Sequence, residues 1–93
     1  MGITYLPVTR GLSAYYELGV DYGALVTEVM ANSPASSAGV KVGDVILSFN
    51  EVRLNQGMSL LGLMRACPNG SRIALEVWDG NGVRAVEFVH IER

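Results

Sequence analysis

The chain has 93 residues, enough for one small domain and too few for two. Hydrophobic residues make up 49% and charged residues 17%, which excludes a disordered polar tract, and a net charge of −2 argues against a nucleic-acid backbone or an anionic membrane as main partner. A single cysteine, Cys67, excludes an internal disulfide and a multi-cysteine metal site. A single histidine, His90, excludes a His–His zinc motif, so no metal or cofactor is expected.

Ile3 to Val8 is rich in β-formers and reads as a strand closed by Pro7, which has no N–H to give a sheet. Arg10 to Leu18 predicts a short helix between Gly11 and Gly19, with Ser13 as a candidate cap. Residues 24–29, Ala-Leu-Val-Thr-Glu-Val, form the next strand. Asn32-Ser33-Pro34 then starts one helical turn, Ala35 to Ala38, which Gly39 stops. Gly43-Asp44 turns the chain into a continuous apolar run, Val45 to Phe49, the mark of a central strand. Asn50 to Arg53 reads as a turn.

The main helix is expected between Asn55 and Pro68, with Leu60, Leu63 or Met64, and Cys67 at helical spacing. Ile73 to Trp78 and Val83 to Val89 are strands joined by Asp79-Gly80-Asn81-Gly82, a hairpin signal. The order predicts a small, mostly antiparallel α+β domain, a partly open barrel capped by two helices. No run is long and apolar enough to span a bilayer, and Met1-Gly2-Ile3 lacks a signal-peptide pattern. The abrupt start in a strand-like run reads as a single domain, residues 1–93, cut from a longer protein, with Met1 added for expression.

Catalytic chemistry finds little support. His90 has no partner pattern for a triad and reads as a solvent-facing strand-end residue. Cys67 lies in register with Leu60 and Met64 and reads as core packing. Asp44 follows a glycine in a turn, so turn hydrogen bonding explains it better than acid–base work. The fragment is expected not to be an enzyme.

The most informative stretch is Ser33-Pro34-Ala35-x-x-Ala38-Gly39-Val40-x-x-Gly43-Asp44-Val45-Ile46. Ser33 or Asn32 caps and Pro34 opens the turn. Ala35 and Ala38 are small enough to let it lie flat on a sheet. Gly39 ends it at positive φ, Val40 plugs the core, and Gly43-Asp44 leads into the central strand. On this motif, and over nearly its whole length, the chain resembles the PDZ domain, specifically the bacterial type that follows the protease domain of HtrA/Deg serine proteases. The resemblance implies a PDZ fold in the bacterial, circularly permuted topology, with the carboxylate-binding loop at the start of the domain, where Met1-Gly2-Ile3 is the match.

The implied mechanism is peptide binding by β-strand addition. A peptide C-terminus adds to the edge of Thr4, Tyr5 and Leu6, and backbone N–H groups at Gly2 and Ile3 hold its carboxylate. The main helix forms the other wall. If Gly57 opens its groove face, Leu61 and Met64 follow at i+4 and i+7, leaving Leu60, Leu63 and Cys67 for the core. An apolar ligand terminus such as Val, Leu, Phe or Ala is expected over a charged one, with micromolar affinity. The implied partners are protein C-termini, unfolded polypeptide and a protease domain of the same chain, with no nucleic acid and no direct membrane insertion. The implied location is periplasmic or cell-envelope. A different parent (a tail-specific protease, a site-2 metalloprotease or a secretion component) and an assembly domain with an occluded groove are the competing expectations.

Overall fold

The computed structural model describes residues 2–17, 19–54, 60–68 and 70–89, except for the side chains of Tyr16 and Leu61. Six strands form one antiparallel sheet among them. The strands are β1 (Ile3–Pro7), β2 (Ala24–Val29), β3 (Val45–Phe49), β4 (Val52–Arg53), β5 (Arg72–Trp78) and β6 (Val83–Val89). The order is β1-β2-β3-β5-β6, with β4 paired to β3, so the sheet does not close and β1 and β6 are its edges. Three short helices complete the fold: α1 (Arg10–Tyr16), α2 (Pro34–Ala38) and α3 (Leu60–Arg65). The expected open antiparallel α+β arrangement is observed, with α1 as well as the two capping helices.

The strands follow their sequence pattern. Every residue of β3 is buried, as a continuous apolar run in a central strand requires. Its two faces feed separate clusters. Ile46 and Phe49 join Ala24, Val26, Ile73, Leu75 and Val77 in the main core, which Leu60 and Met64 of α3 enter from above. Val45 and Leu47 join Leu25 in a smaller cluster on the opposite face, covered by Leu12 of α1 with Val8, Val20, Tyr22 and Trp78.

The 33–46 motif behaves as its chemistry dictates. Ser33 caps α2 by accepting from the Ser36 N–H, with Pro34 in the first turn and Gly39 at φ 93 as the C-cap. Ala35 is fully buried and Val40 nearly so. The Lys41 N–H donates to Asp44 Oδ2 at 2.9 Å, which closes the turn before β3. The 79–82 hairpin joins β5 to β6 as expected, with Trp78 opposite Val83.

Two details differ from the sequence reading. The cap of α1 is Thr9, whose hydroxyl accepts from the Leu12 N–H at 3.1 Å, and Ser13 lies inside the helix. Residues 52–53, read as turn, pair with β3 as β4. Asn50 is a turn residue as expected: at φ 48 it closes β3 by using both its N–H and its side-chain oxygen on Ala74. The start of the main helix, residues 55–59, and the strand-end His90 lie outside the described residues.

Candidate functional site

The site is built on the edge strand β1. Among the described residues its one strand partner is β2, from Ile3↔Val29 to Pro7↔Ala24, with a register shift between Thr4 and Tyr5. The direction of each β1 peptide unit follows from its hydrogen bonds. The Gly2 carbonyl accepts from the Met30 N–H at 2.8 Å, so it points toward β2. The described peptide bonds are all trans, and in a trans unit the N–H points opposite the C=O. The Ile3 N–H therefore faces the open side of the sheet. The Thr4 carbonyl accepts from the Thr27 hydroxyl at 3.1 Å, which turns the Tyr5 N–H outward in the same way. Residue 8 confirms the alternation: the Val8 N–H donates inward, to the Gly23 carbonyl.

The side chains alternate as well. Ile3 and Tyr5 are half-buried and pack on the main core, while Thr4 and Leu6 are exposed. Leu60 and Met64 of α3 belong to that same core, so β1's inward side chains and α3 lie on one face of the sheet. No titratable or charged side chain other than the Tyr5 phenol lies on residues 2–6, so any anion at this edge meets backbone donors.

Gly2 holds the strand start in place. It has φ 84, and a methyl group on it would overlap the Ser33 side chain. Ser33 is buried. Its hydroxyl donates to the Met30 carbonyl at 2.7 Å and accepts from the Ser36 N–H at 3.2 Å. The Met30 backbone is thus fixed on one side by Ser33 and on the other by Gly2. The sequence marks Ser33 as a cap. Its second task, as the seat of Gly2, has no local signal, because the two residues are 31 positions apart.

The predicted site residues are brought together only in part. Ile3, Thr4, Tyr5 and Leu6 lie together in the edge strand β1, and Gly2 immediately precedes it. Gly57 lies outside the described residues, and of Leu61 only the backbone, within α3, is described. The division of the helix faces needs correction. Met64 was expected on the groove face, but it is 8% exposed and sits in the core with Leu60, its i−4 neighbour. Leu63 and Cys67 are half-buried and pack against the core, as expected. The physical reason is the i, i+4 rule: Leu60 and Met64 share one stripe, and Leu63 flanks it.

An open cleft of about 400 Å³ lies between α2 and the end of β6, lined by residues that include Ser33, Pro34, Phe88 and Val89. It contains none of the predicted site residues, and β1 with its outward donors is the better-founded site. Among the described residues no group of His, Cys, Asp and Glu is arranged to hold a metal ion.

Comparison with known proteins agrees with this geometry. The family model described as "PDZ domain" matches residues 1–88. A "Probable periplasmic serine endoprotease DegP-like" of Chlamydia muridarum is 34% identical over 91 residues, covering 98% of this chain and 17% of the relative. The chain thus spans about a sixth of the length of the curated relatives it matches. Among solved structures, the HtrA3 PDZ domain bound to a phage-derived ligand (FGRWV) aligns with a TM-score of 0.78 and 30% identity, covering 96% of this chain and 81% of that one. The HtrA-type protease AlgW with decapeptide has a TM-score of 0.83 at 22% identity, over 99% of this chain and 29% of that one, which speaks to fold alone. The chain belongs to the PDZ domain family, in the form carried by HtrA-type serine endoproteases, and is homologous to one part of such enzymes.

Proposed function

We propose that this chain is a peptide-binding module that takes C-terminal or unfolded segments as an added strand on β1, and that it regulates or targets an HtrA-type serine protease of which it forms part. The observation that carries this reading is the outward Ile3 N–H beside Gly2, at the start of an edge strand with no second strand partner among the described residues. Gly2 and Ile3 receive the terminal carboxylate, and Thr4, Tyr5 and Leu6 form the edge to which the peptide adds. Gly57 and Leu61 are assigned to the groove from the sequence alone, and Met64 of α3 lies in the core. The segment itself performs no catalysis. Its partners are polypeptide C-termini, unfolded chains and the protease domain of its own parent, in the periplasm where the curated relatives are named.

The test is an NMR titration with the pentapeptide FGRWV, the ligand printed for the HtrA3 domain, as free acid and as C-terminal amide. Micromolar binding of the acid is expected, with shifts at the amides of residues 2–6 and of α3 that weaken strongly on amidation. Leu61→Glu is expected to remove binding while the spectrum stays dispersed. Equal response to acid and amide, or none to either, overturns the reading.

A further inference from the structure

The face of the sheet away from α3 is covered only in part. Ile73, Leu75, Val77 and Val86 point into the main core, so strand alternation puts Glu76, Trp78, Val83 and Ala85 on this other face. Leu12 of α1 covers Val45 and Leu47 of β3, and Trp78 packs half-buried at the edge of that cluster. Beyond it, Val83, the register partner of Trp78, is 55% exposed. An open cleft of about 250 Å³ lies beside the indole, between the end of α1 and the 79–82 hairpin, and Glu17, Trp78 and Asp79 help to line it. Gly19 fits against the indole there, and a methyl group on it would overlap the ring. Three carboxylates surround this apolar centre: Glu17, Glu76 and Asp79, all exposed. Among the described residues the ion pairs are Arg10–Asp21, Arg84–Asp44 and Arg84–Asp79, so neither Glu17 nor Glu76 has a cation. Arg84 comes from the other face, where Asp44 and the Gly39 carbonyl hold it.

We infer that this face, with Trp78 at its centre, is a docking surface for an arginine-bearing segment of another polypeptide. An apolar centre with a polar rim is the layout of a contact surface, and a rim of one sign selects a partner of the other. A guanidinium is flat, weakly hydrated and always charged, so it can enter the cleft beside the indole while donating to Glu17 or Asp79. Its alkyl stem, or an apolar neighbour in the segment, is left for Val83. A lysine ammonium holds its water more strongly and is expected to bind less well. The surface lies across the sheet from α3 and from the inward side chains of β1. It therefore does not depend on strand addition at β1, and the two contacts can be made at once.

The probe is acetyl-Arg-Leu-Arg-amide, whose blocked C-terminus keeps it from a carboxylate site. Its control has citrulline in place of both arginines, which keeps the shape and removes the charge. Trp78 is the only tryptophan, so its fluorescence and its indole N–H resonance report on this cleft directly. At low salt the arginine peptide is expected to bind with a Kd on the order of 1 mM, and the citrulline peptide at least about fivefold more weakly. Glu17→Gln and Glu76→Gln are each expected to weaken the arginine peptide about threefold and to leave the citrulline peptide unchanged. Both variants are conservative: Glu17 is exposed, and a glutamine at position 76 keeps an oxygen for the Ser48 hydroxyl. Amide shifts are expected at Trp78, Gly80 and Val83 and not at residues 3–6. Equal binding of the two peptides, no response of Trp78 up to about 10 mM arginine peptide, or an affinity indifferent to both variants overturns the inference. Concentration-dependent shifts of the same residues in the free chain assign the face to a second copy and overturn it as well.

Discussion

Gly2 is held by two independent constraints, either of which excludes an ordinary side chain. Its φ of 84 lies in the left-handed region, and the space a Cβ needs is filled by Ser33. Gly2→Ala must push the strand start away from α2, and the Ile3 N–H moves with it. The free-acid peptide is expected to lose at least tenfold in affinity, the amide far less, and strain costs about 1–3 kcal/mol of stability. Calorimetric titration and a thermal melt check the two parts separately. Unchanged acid affinity places the carboxylate elsewhere. Ser33→Ala is milder, because it keeps the Cβ and loses the hydroxyl's bonds to Met30 and Ser36. About 1 kcal/mol is expected from the lost cap, a fall of roughly 4–8 °C in Tm for a domain of this size.

At the scale of elements, α3 decides how the floor of the site is built. Met64 is 8% exposed among Leu60 and the sheet residues, so Met64→Ala removes core volume and is expected to cost about 2–5 kcal/mol in chemical denaturation. Leu63→Ala, at the half-buried margin, is expected to cost less. The reverse ranking places Leu63 in the core and Met64 at the groove. The helix was legible in the sequence; its orientation was not. Leu60, Leu61, Leu63 and Met64 are apolar on almost every side, so spacing defines stripes without saying which one meets the sheet. The strands were legible because β-branched runs bounded by turn residues leave few alternatives, and the 33–46 motif because each position has a distinct backbone demand. Two-residue β4 carries no period to read. Thr9 and Ser13 are equally good caps in isolation, and the covering of β2 and β3 by Leu12 favours the earlier start. That Ile3 to Pro7 form a strand was readable, but which side of β1 is open depends on a pairing with β2 that only the fold supplies.

Across the whole molecule, one ion pair joins parts of the sequence that the strand ladder leaves separate. Arg84 lies on β6, the edge strand farthest from β1, and Asp44 precedes central β3. Arg84 Nη2 donates to Asp44 Oδ2 at 2.6 Å and to the Gly39 carbonyl at 3.1 Å. Asp44 is buried, and the same Oδ2 also accepts from Lys41, so the guanidinium holds together the end of α2, the turn before β3 and the second edge. Asp79, at the hairpin tip, stands 3.9 Å from Arg84 Nε. With the Asp44 side chain 8% exposed and Arg84 34%, removing one partner leaves a nearly buried charge. Arg84→Met is expected to destabilise by about 1–3 kcal/mol, and Arg84→Lys to recover only part, because both bonds come from Nη2, which lies one bond farther along the side chain than a lysine ammonium. A double-mutant cycle with Asp44→Asn should give a coupling of about 0.5–3 kcal/mol that persists in 1 M salt. Arg10–Asp21, at 3.9 Å with side chains 94% and 62% exposed, is the internal control and should show no measurable coupling at that salt. Additive single changes at Arg84 and Asp44 mean that the tie contributes nothing to the fold. Peptide affinity should be unchanged by Arg84→Met, since the pair touches neither β1 nor α3; a parallel loss of binding means that the second edge and the binding edge are coupled through the sheet.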